Sequence, residues 1–236
     1  PTDQIQMEVR STMRKIAVLT DSACDIPVEL QEKYGIDILP FTITLDGVSY
    51  VERKDFTFDE YYQMLRDAKG TPSTAHITAM QFCDQFCKYL DEGYTDVLYV
   101  SINSTGSATH DAAVMAVDLL AEERPGHELR IHIVDSHTYS FIYGWPVCEA
   151  ARLLRNGAEL EYVMDMLNDR FSRAEVVLSA FSLKVMKKSG RVSAAAAFAG
   201  ELLGLRPIIS LIDGKSKVAV RLDMLGCAHV DMPVGF

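Results

Sequence analysis

Short apolar runs that each pass through a polar turn into a helix recur along this chain, and they restrict it to few folds. Residues 15–20, 95–102, 129–134 and 176–180 read as buried strands by length and flanks. Residues 37–45 read as a further strand, turning at Asp46-Gly47 into a hairpin that returns over 48–51. Helices are expected over 27–34, 58–68, 79–92, about 110–123, 139–156 and 159–173. In the second of these, Phe58, Tyr61, Tyr62 and Leu65 share one apolar face. Strand–helix alternation with right-handed crossovers predicts an α/β fold with a mostly parallel sheet and flanking helices. The rhythm breaks where two helices follow one another before residue 176, so the chain divides into an N-terminal α/β domain over 14–173 and a smaller α/β domain over 174–236. Residues 1–13 are polar and patternless, a disordered tail or an expression remnant.

The second domain carries a distinctive run. A basic turn, Lys187-Lys188-Ser189-Gly190-Arg191-Val192-Ser193, leads into an alanine-rich helix over 194–205 and then a hairpin of residues 207–212 and 215–222 around Asp213-Gly214. Ser193 suits an N-cap. A helix start beside Arg191 is either an anion site or a capped surface helix with a solvated basic turn. A helix built on Ala194 to Ala197 lies close to a neighbour or leaves room for something long and apolar.

Charge and cysteine usage narrow the function classes. The net charge of −10 argues against general nucleic-acid binding. No apolar run approaches the roughly 20 residues of a transmembrane helix, which leaves at most transient membrane contact. Five cysteines, odd in number and scattered, together with the lack of a secretory signal, suggest reduced thiols in the cytoplasm. Cys83 and Cys87 share a helix face, but a metal would need two more ligands, and packing is the simpler reading.

Polar clusters stand at expected strand or helix ends: Asp21-Ser22, Ser73-Thr74 in a hydroxyl-rich loop over 70–78, Ser104 to Thr109, and Asp135-Ser136. Hydroxyls plus one guanidinium suit a carboxylate. Machinery for catalysis is harder to find. G-x-S-x-G, the P-loop and G-x-G-x-x-G are all absent. A triad can be drawn from Ser107, His110 or His137, and Asp135, but such a choice arises easily by chance. Asp21, Asp25 and Asp135 suggest Mg²⁺ only weakly, and His76, His127, His132 and His229 suit surface or core positions.

Taken in order, these motifs resemble the DegV family. Its T-D-S-x-x-D is Thr20-Asp21-Ser22-Ala23-Cys24-Asp25, and its Y-G-I and D-G elements are Tyr34-Gly35-Ile36 and Asp46-Gly47. Its S-S-x-L-S-G-T falls on Asn103 through Thr109, and its V-D-S on Val134-Asp135-Ser136. Its L-K-K-G-G-R-I-S is Met186 through Ser193, and its K-P-I is Arg206-Pro207-Ile208.

The resemblance implies a two-domain DegV-like fold holding a long-chain fatty acid, such as palmitate, stearate or oleate, in a tunnel between domains. It places the carboxylate at Thr74, Ser104 and Ser107, with Arg191 near the same end and His229 where the family histidine stands. It implies a protein without catalysis or cofactor of its own that presents the acid to a fatty acid kinase subunit, as FakB does. Three departures stand out. Thr74-Ala75-His76-Ile77-Thr78 replaces T-S-Q-P-S, Asn103 and Ala108 replace a serine and a glycine, and the terminal G-P-G is not intact, so either the second domain is shortened or part of the chain is not represented. Two rival readings follow: a small hydrolase or phosphotransferase using Ser107 or Asp21, or an interaction domain with a degenerate tunnel.

Overall fold

A computed structural model of the chain describes residues 14–179, 206–212, 214–222 and 228–230. Four strands, β1 (Ile16–Asp21), β2 (Ile36–Leu39), β6 (Asp96–Ser101) and β7 (Arg130–Asp135), form an all-parallel sheet in the order β2-β1-β6-β7. Every residue of β6 is buried. Successive side chains of a strand face opposite sides, so both faces of this sheet are covered.

Two helix groups do the covering. On one side α3 (Ala79–Asp91) packs on α4 (Thr109–Glu123). In the other group α1 (Val28–Tyr34) packs on α5 (Phe141–Arg155), which in turn meets β1 and α6 (Leu160–Ser172). Thr78 caps α3 through a capping box with Gln81. The core between sheet and helices is built on Leu19, Ile26, Phe82, Phe86, Leu98 and Leu120, all essentially inaccessible.

The expected single strand over 37–45 is two strands in two sheets. The extended run ends at Leu39, and Pro40 follows with no amide hydrogen to continue a ladder. Beyond it, β3 (Thr42–Leu45) pairs with β4 (Val48–Val51) and β5 (Ser73–Ala75) in a small antiparallel sheet. Asp46 and Gly47 make the hairpin turn with φ of 51° and 85°, as the Asp-Gly pair predicts. β5 corrects the reading of residues 70–78 as loop throughout.

The helix expected over 58–68 is α2 (Phe58–Asp67). Its apolar stripe does not enter the core: no residue of α2 is buried, and Phe58 and Tyr62 are 45% and 58% exposed. The Thr57–Glu60 capping box supports its start, and Tyr61 stacks on Phe56 at 5.0 Å.

The C-terminal part of the described chain is an antiparallel sheet in the order β11-β10-β9-β8, built from β8 (Glu175–Ser179), β9 (Arg206–Ile212), β10 (Lys215–Leu222) and β11 (Ala228–Val230). The expected basic turn and alanine helix lie outside the described residues. β11 was not expected from the sequence; its three residues pair back onto residues 220–222 of β10.

Gly144 sets how closely α5 approaches the chain after β1. A Cβ there would come within 2.2 Å of the Cys24 carbonyl oxygen. Alanine gains up to about 1 kcal/mol of helix propensity over glycine, but a backbone clash of this kind typically costs about 1–3 kcal/mol. Gly144→Ala is therefore expected to lower stability, read as an earlier urea midpoint at unchanged m-value. A higher midpoint would show that α5 can shift freely.

Candidate functional site

The site is built at the C-terminal ends of β1 and β6, where open α/β sheets place ligands. Asp21 ends β1 and is fully buried. Its carboxylate accepts from the Tyr143 hydroxyl at 2.7 Å, the Tyr99 hydroxyl at 3.1 Å and the Ile102 amide at 2.9 Å. Burial pushes its pKa up, against the pull of these donors. The residue ties β1, β6 and α5 together. A role as an accessible nucleophile does not suit it, because the carboxylate reaches no open surface.

The neighbouring motif residues hold backbone in the same way. Ser22 Oγ accepts from the Phe41 amide at 2.9 Å and donates to the Glu52 carboxylate. Asp25 accepts from Ser140 Oγ. Asp135 accepts from the Ser104 amide at 3.2 Å and the His137 amide at 2.9 Å, and pairs with His137 Nδ1 at 3.2 Å. Asp21, Asp25 and Asp135 thus each serve separate donors.

Asp135 fixes the start of the loop after β6. Asn103, the family's serine position, is buried and donates from Nδ2 to Tyr139 Oη at 2.8 Å and to the Gly214 carbonyl at 3.2 Å. The Thr105 hydroxyl also reaches that carbonyl, at 3.0 Å. The loop is therefore pinned to the β9–β10 turn, and Asn103 does a job that a serine is too short to do. Ala108 precedes α4 with φ −72°, a conformation open to any residue, so loss of the family glycine costs nothing there. Thr78 is spent on the α3 cap and Ile77 is buried, which accounts for two positions of the other departing segment.

Two adjoining hollows meet at these loops. The larger, of about 720 Å³, has walls that include Phe41, Ile43, Ile102, Ile142, Leu178 and Leu211. It is thus bounded by β3, by α5 and by the C-terminal sheet. The smaller, of about 420 Å³, is lined by Ser104, Thr105, His76 and Asp111 among others. Phe41, Thr74, Gly106 and Ser107 line both. Thr74 and Ser107 thus stand where an apolar chamber opens into a polar recess.

The structure brings Thr74, Ser104 and Ser107 to one hollow. Arg191 lies outside the described residues. His229 lies on β11, opposite Arg221 of β10 in register. Periodicity did not reveal the apolar wall contributed by β3, β8 and β9, or Glu52. Burial raises the pKa of the Glu52 carboxyl on the chamber wall, an effect only partly offset by its bond from Ser22. Alternation in β3 was the one available signal.

The Ser107 hydroxyl bonds Thr109 Oγ1 at 2.8 Å and accepts from the Thr109 amide at 3.3 Å. The imidazoles proposed for a triad are engaged with carboxylates instead, His110 with Asp111 at 3.2 Å and His137 with Asp135. Nucleophilic activation needs a base on the hydroxyl, and Ser107 here faces another hydroxyl. Among the described residues no helix is long and apolar enough to cross a membrane.

Comparison with known proteins agrees with this architecture. The profile of the family described as "Uncharacterised protein, DegV family" matches residues 15–223. A DegV domain-containing protein of Caldanaerobacter subterraneus subsp. tengcongensis is 32% identical over 206 residues, covering 87% of this chain and 71% of that protein. Among solved structures, a DegV family protein from Thermus thermophilus, described by its fatty acid binding, superposes with a TM-score of 0.75 at 31% identity, over 89% of this chain and 72% of that one. A stearic acid-binding protein from Eubacterium ventriosum gives 0.77 at 29% identity, over 87% and 69%. Sequence match along nearly the whole described chain and the same strand–helix arrangement lead to one assignment: the chain belongs to the DegV family.

Proposed function

We propose that this protein binds a long-chain fatty acid, with the acyl chain in the apolar chamber and the carboxylate at the hydroxyls of Thr74, Ser104 and Ser107. One observation carries the reading. Thr74 and Ser107 line both the apolar chamber and the polar recess, so hydroxyl donors stand where the head of an amphiphile meets its tail. A chamber of about 720 Å³ falls in the size range of small-molecule sites. Similarity to solved DegV proteins described as fatty-acid- and stearic-acid-binding supports the same ligand class.

On this reading residues 14–173 and 174–236 are two lobes with the acid between them, and Arg191 and His229 complete the carboxylate end. The protein acts in the cytoplasm without catalysis or cofactor, and it presents the acid to a fatty acid kinase subunit. The Ser107–Thr109 pair favours holding a ligand over attacking one, because among the described residues the hydroxyl is bonded to another hydroxyl and not to a base.

The test is native mass spectrometry of the full chain, followed by uptake of defined acids by the delipidated protein. A stoichiometric adduct of fatty-acid mass is expected. Affinity should fall by roughly fifteenfold for each two methylenes removed, since each contributes about 0.8 kcal/mol. If delipidated protein takes up neither palmitate nor oleate, the degenerate-tunnel reading replaces this one. Turnover of an ester or phosphate, abolished by Ser107→Ala, would establish an enzyme instead.

A further inference from the structure

A second cluster lies between α3 and α4, away from the residues of the chamber. Cys83 and Cys87 sit one turn apart on α3 and are both buried, which puts their thiols on one helix face. Glu123 is the last residue of α4 and is exposed. The two sulfurs and a Glu123 carboxylate oxygen all lie within 4.8 Å of one another. Cys83 Sγ is 3.5 Å from Glu123 Oε2. The adjacent cation does not compete for that carboxylate, because the Arg124 guanidinium grips Asp91 at 2.9 and 3.2 Å. That pair also holds the end of α4 against the end of α3. Glu123 is thus the third ligand atom that the Cys83–Cys87 spacing lacked in the sequence.

We propose that Cys83, Cys87 and Glu123 form a binding site for a thiophilic divalent cation of the Zn²⁺ class, with a fourth position open to solvent. Two sulfurs and one oxygen select Zn²⁺ over Mg²⁺ or Ca²⁺, which prefer all-oxygen shells. Zinc bonds of about 2.3 Å to sulfur and about 2.0–2.2 Å to oxygen require tetrahedral ligand atoms roughly 3.3–3.8 Å apart. Closing from the present spread takes a side-chain adjustment of about 1 Å. The open position follows from the exposure of Glu123, since the thiols close only the protein side.

Binding balances as follows. Each thiol gives its proton to the buffer, the two thiolates and the carboxylate each donate an electron pair to the ion, and the site as a whole carries one negative charge. Burial pushes the Cys83 thiol up to about 12 and raises Cys87 as well. The ion must displace these protons, so affinity rises with pH. The charged groups around the thiols include Glu123, Arg124 and Asp91, with Arg124 paired to Asp91. The bound ion would join the middle of α3, at Cys83 and Cys87, to the C-terminal end of α4.

The experiment uses the full chain under reducing conditions. Co²⁺, added as a spectroscopic substitute, is expected to give a thiolate-to-metal charge-transfer band that Zn²⁺ abolishes by displacement, with two protons released per ion. Cys83→Ser/Cys87→Ser should lose the band and the Zn²⁺-induced rise in Tm. Glu123→Gln, a surface change, should keep the band and weaken Zn²⁺ by about tenfold or more. Absence of a thiolate band in the folded, reduced wild-type chain overturns the proposal, whether or not the serine variant folds. So does equal Zn²⁺ affinity in the wild type and the doubly substituted chain.

Discussion

Asp21→Ala is expected to lower the unfolding free energy by about 3 kcal/mol or more, because three buried donors lose their one acceptor. Truncation leaves the hydroxyls of Tyr99 and Tyr143 and the amide of Ile102 without their acceptor in a site that water does not reach. Each buried orphan donor costs about 1–3 kcal/mol, so even partial relaxation leaves a large effect. Tyr143→Phe removes one donor and leaves the carboxylate two others, and should cost less, about 1.5–3 kcal/mol. Asp21 does not line the chamber, so the folded fraction of Asp21→Ala should still bind ligand. Guanidinium unfolding of the three proteins reads these numbers. A loss below about 1 kcal/mol for Asp21→Ala would mean that the network is not a structural tie.

Thr74→Ala/Ser107→Ala is expected to weaken palmitate binding about a hundredfold. A hydrogen bond to a charged group is worth about 1.5–3 kcal/mol. Thr74 is exposed and Ser107 half-buried, so the lower end applies and two bonds give about 3 kcal/mol. The acyl chain keeps its contacts, so binding should weaken but persist. Hexadecanol fills the same chamber without a carboxylate and should lose far less affinity. Competition with a fluorescent acid measures both. Unchanged palmitate affinity would show that the head group sits elsewhere. Equal losses for acid and alcohol would show that the chamber itself has deformed, through the Ser107–Thr109 contact that precedes α4.

Much of the architecture was legible because local physics specified it. The apolar run of β6 matched a strand buried on both faces, and the helix expected over 79–92 is α3. Asp46-Gly47 set a turn that demands positive φ. The misread segments have local causes too. Pro40 splits one apparent strand between two sheets, and β5 is only three residues whose pairing with β3 exists only across space. The apolar stripe of α2 was legible as one face, but that helix meets no core, and a periodic pattern does not say what it will face.

At the site the same division holds. Thr74, Ser104 and Ser107 were found from residue types and the order of motifs. Why Asn103 replaces a serine was not, because its partners, Tyr139 and Gly214, are 36 and 111 residues away. Glu123 is likewise 40 residues from Cys83.

The sequence by itself determined the course of most strands and helices, which hydroxyls could hold an anion, and that T-D-S-x-x-D and its companion motifs belong together. Only the tertiary structure decided that Asp21 is a strut, that Thr74 and Ser107 stand between an apolar and a polar hollow, and that two cysteines meet a glutamate. Backbone propensity, capping and turn geometry act within a few residues and can be read along the chain. A cavity wall or a buried carboxylate's donors come from segments far apart in sequence, brought together only when burial of the core sets the packing of whole elements.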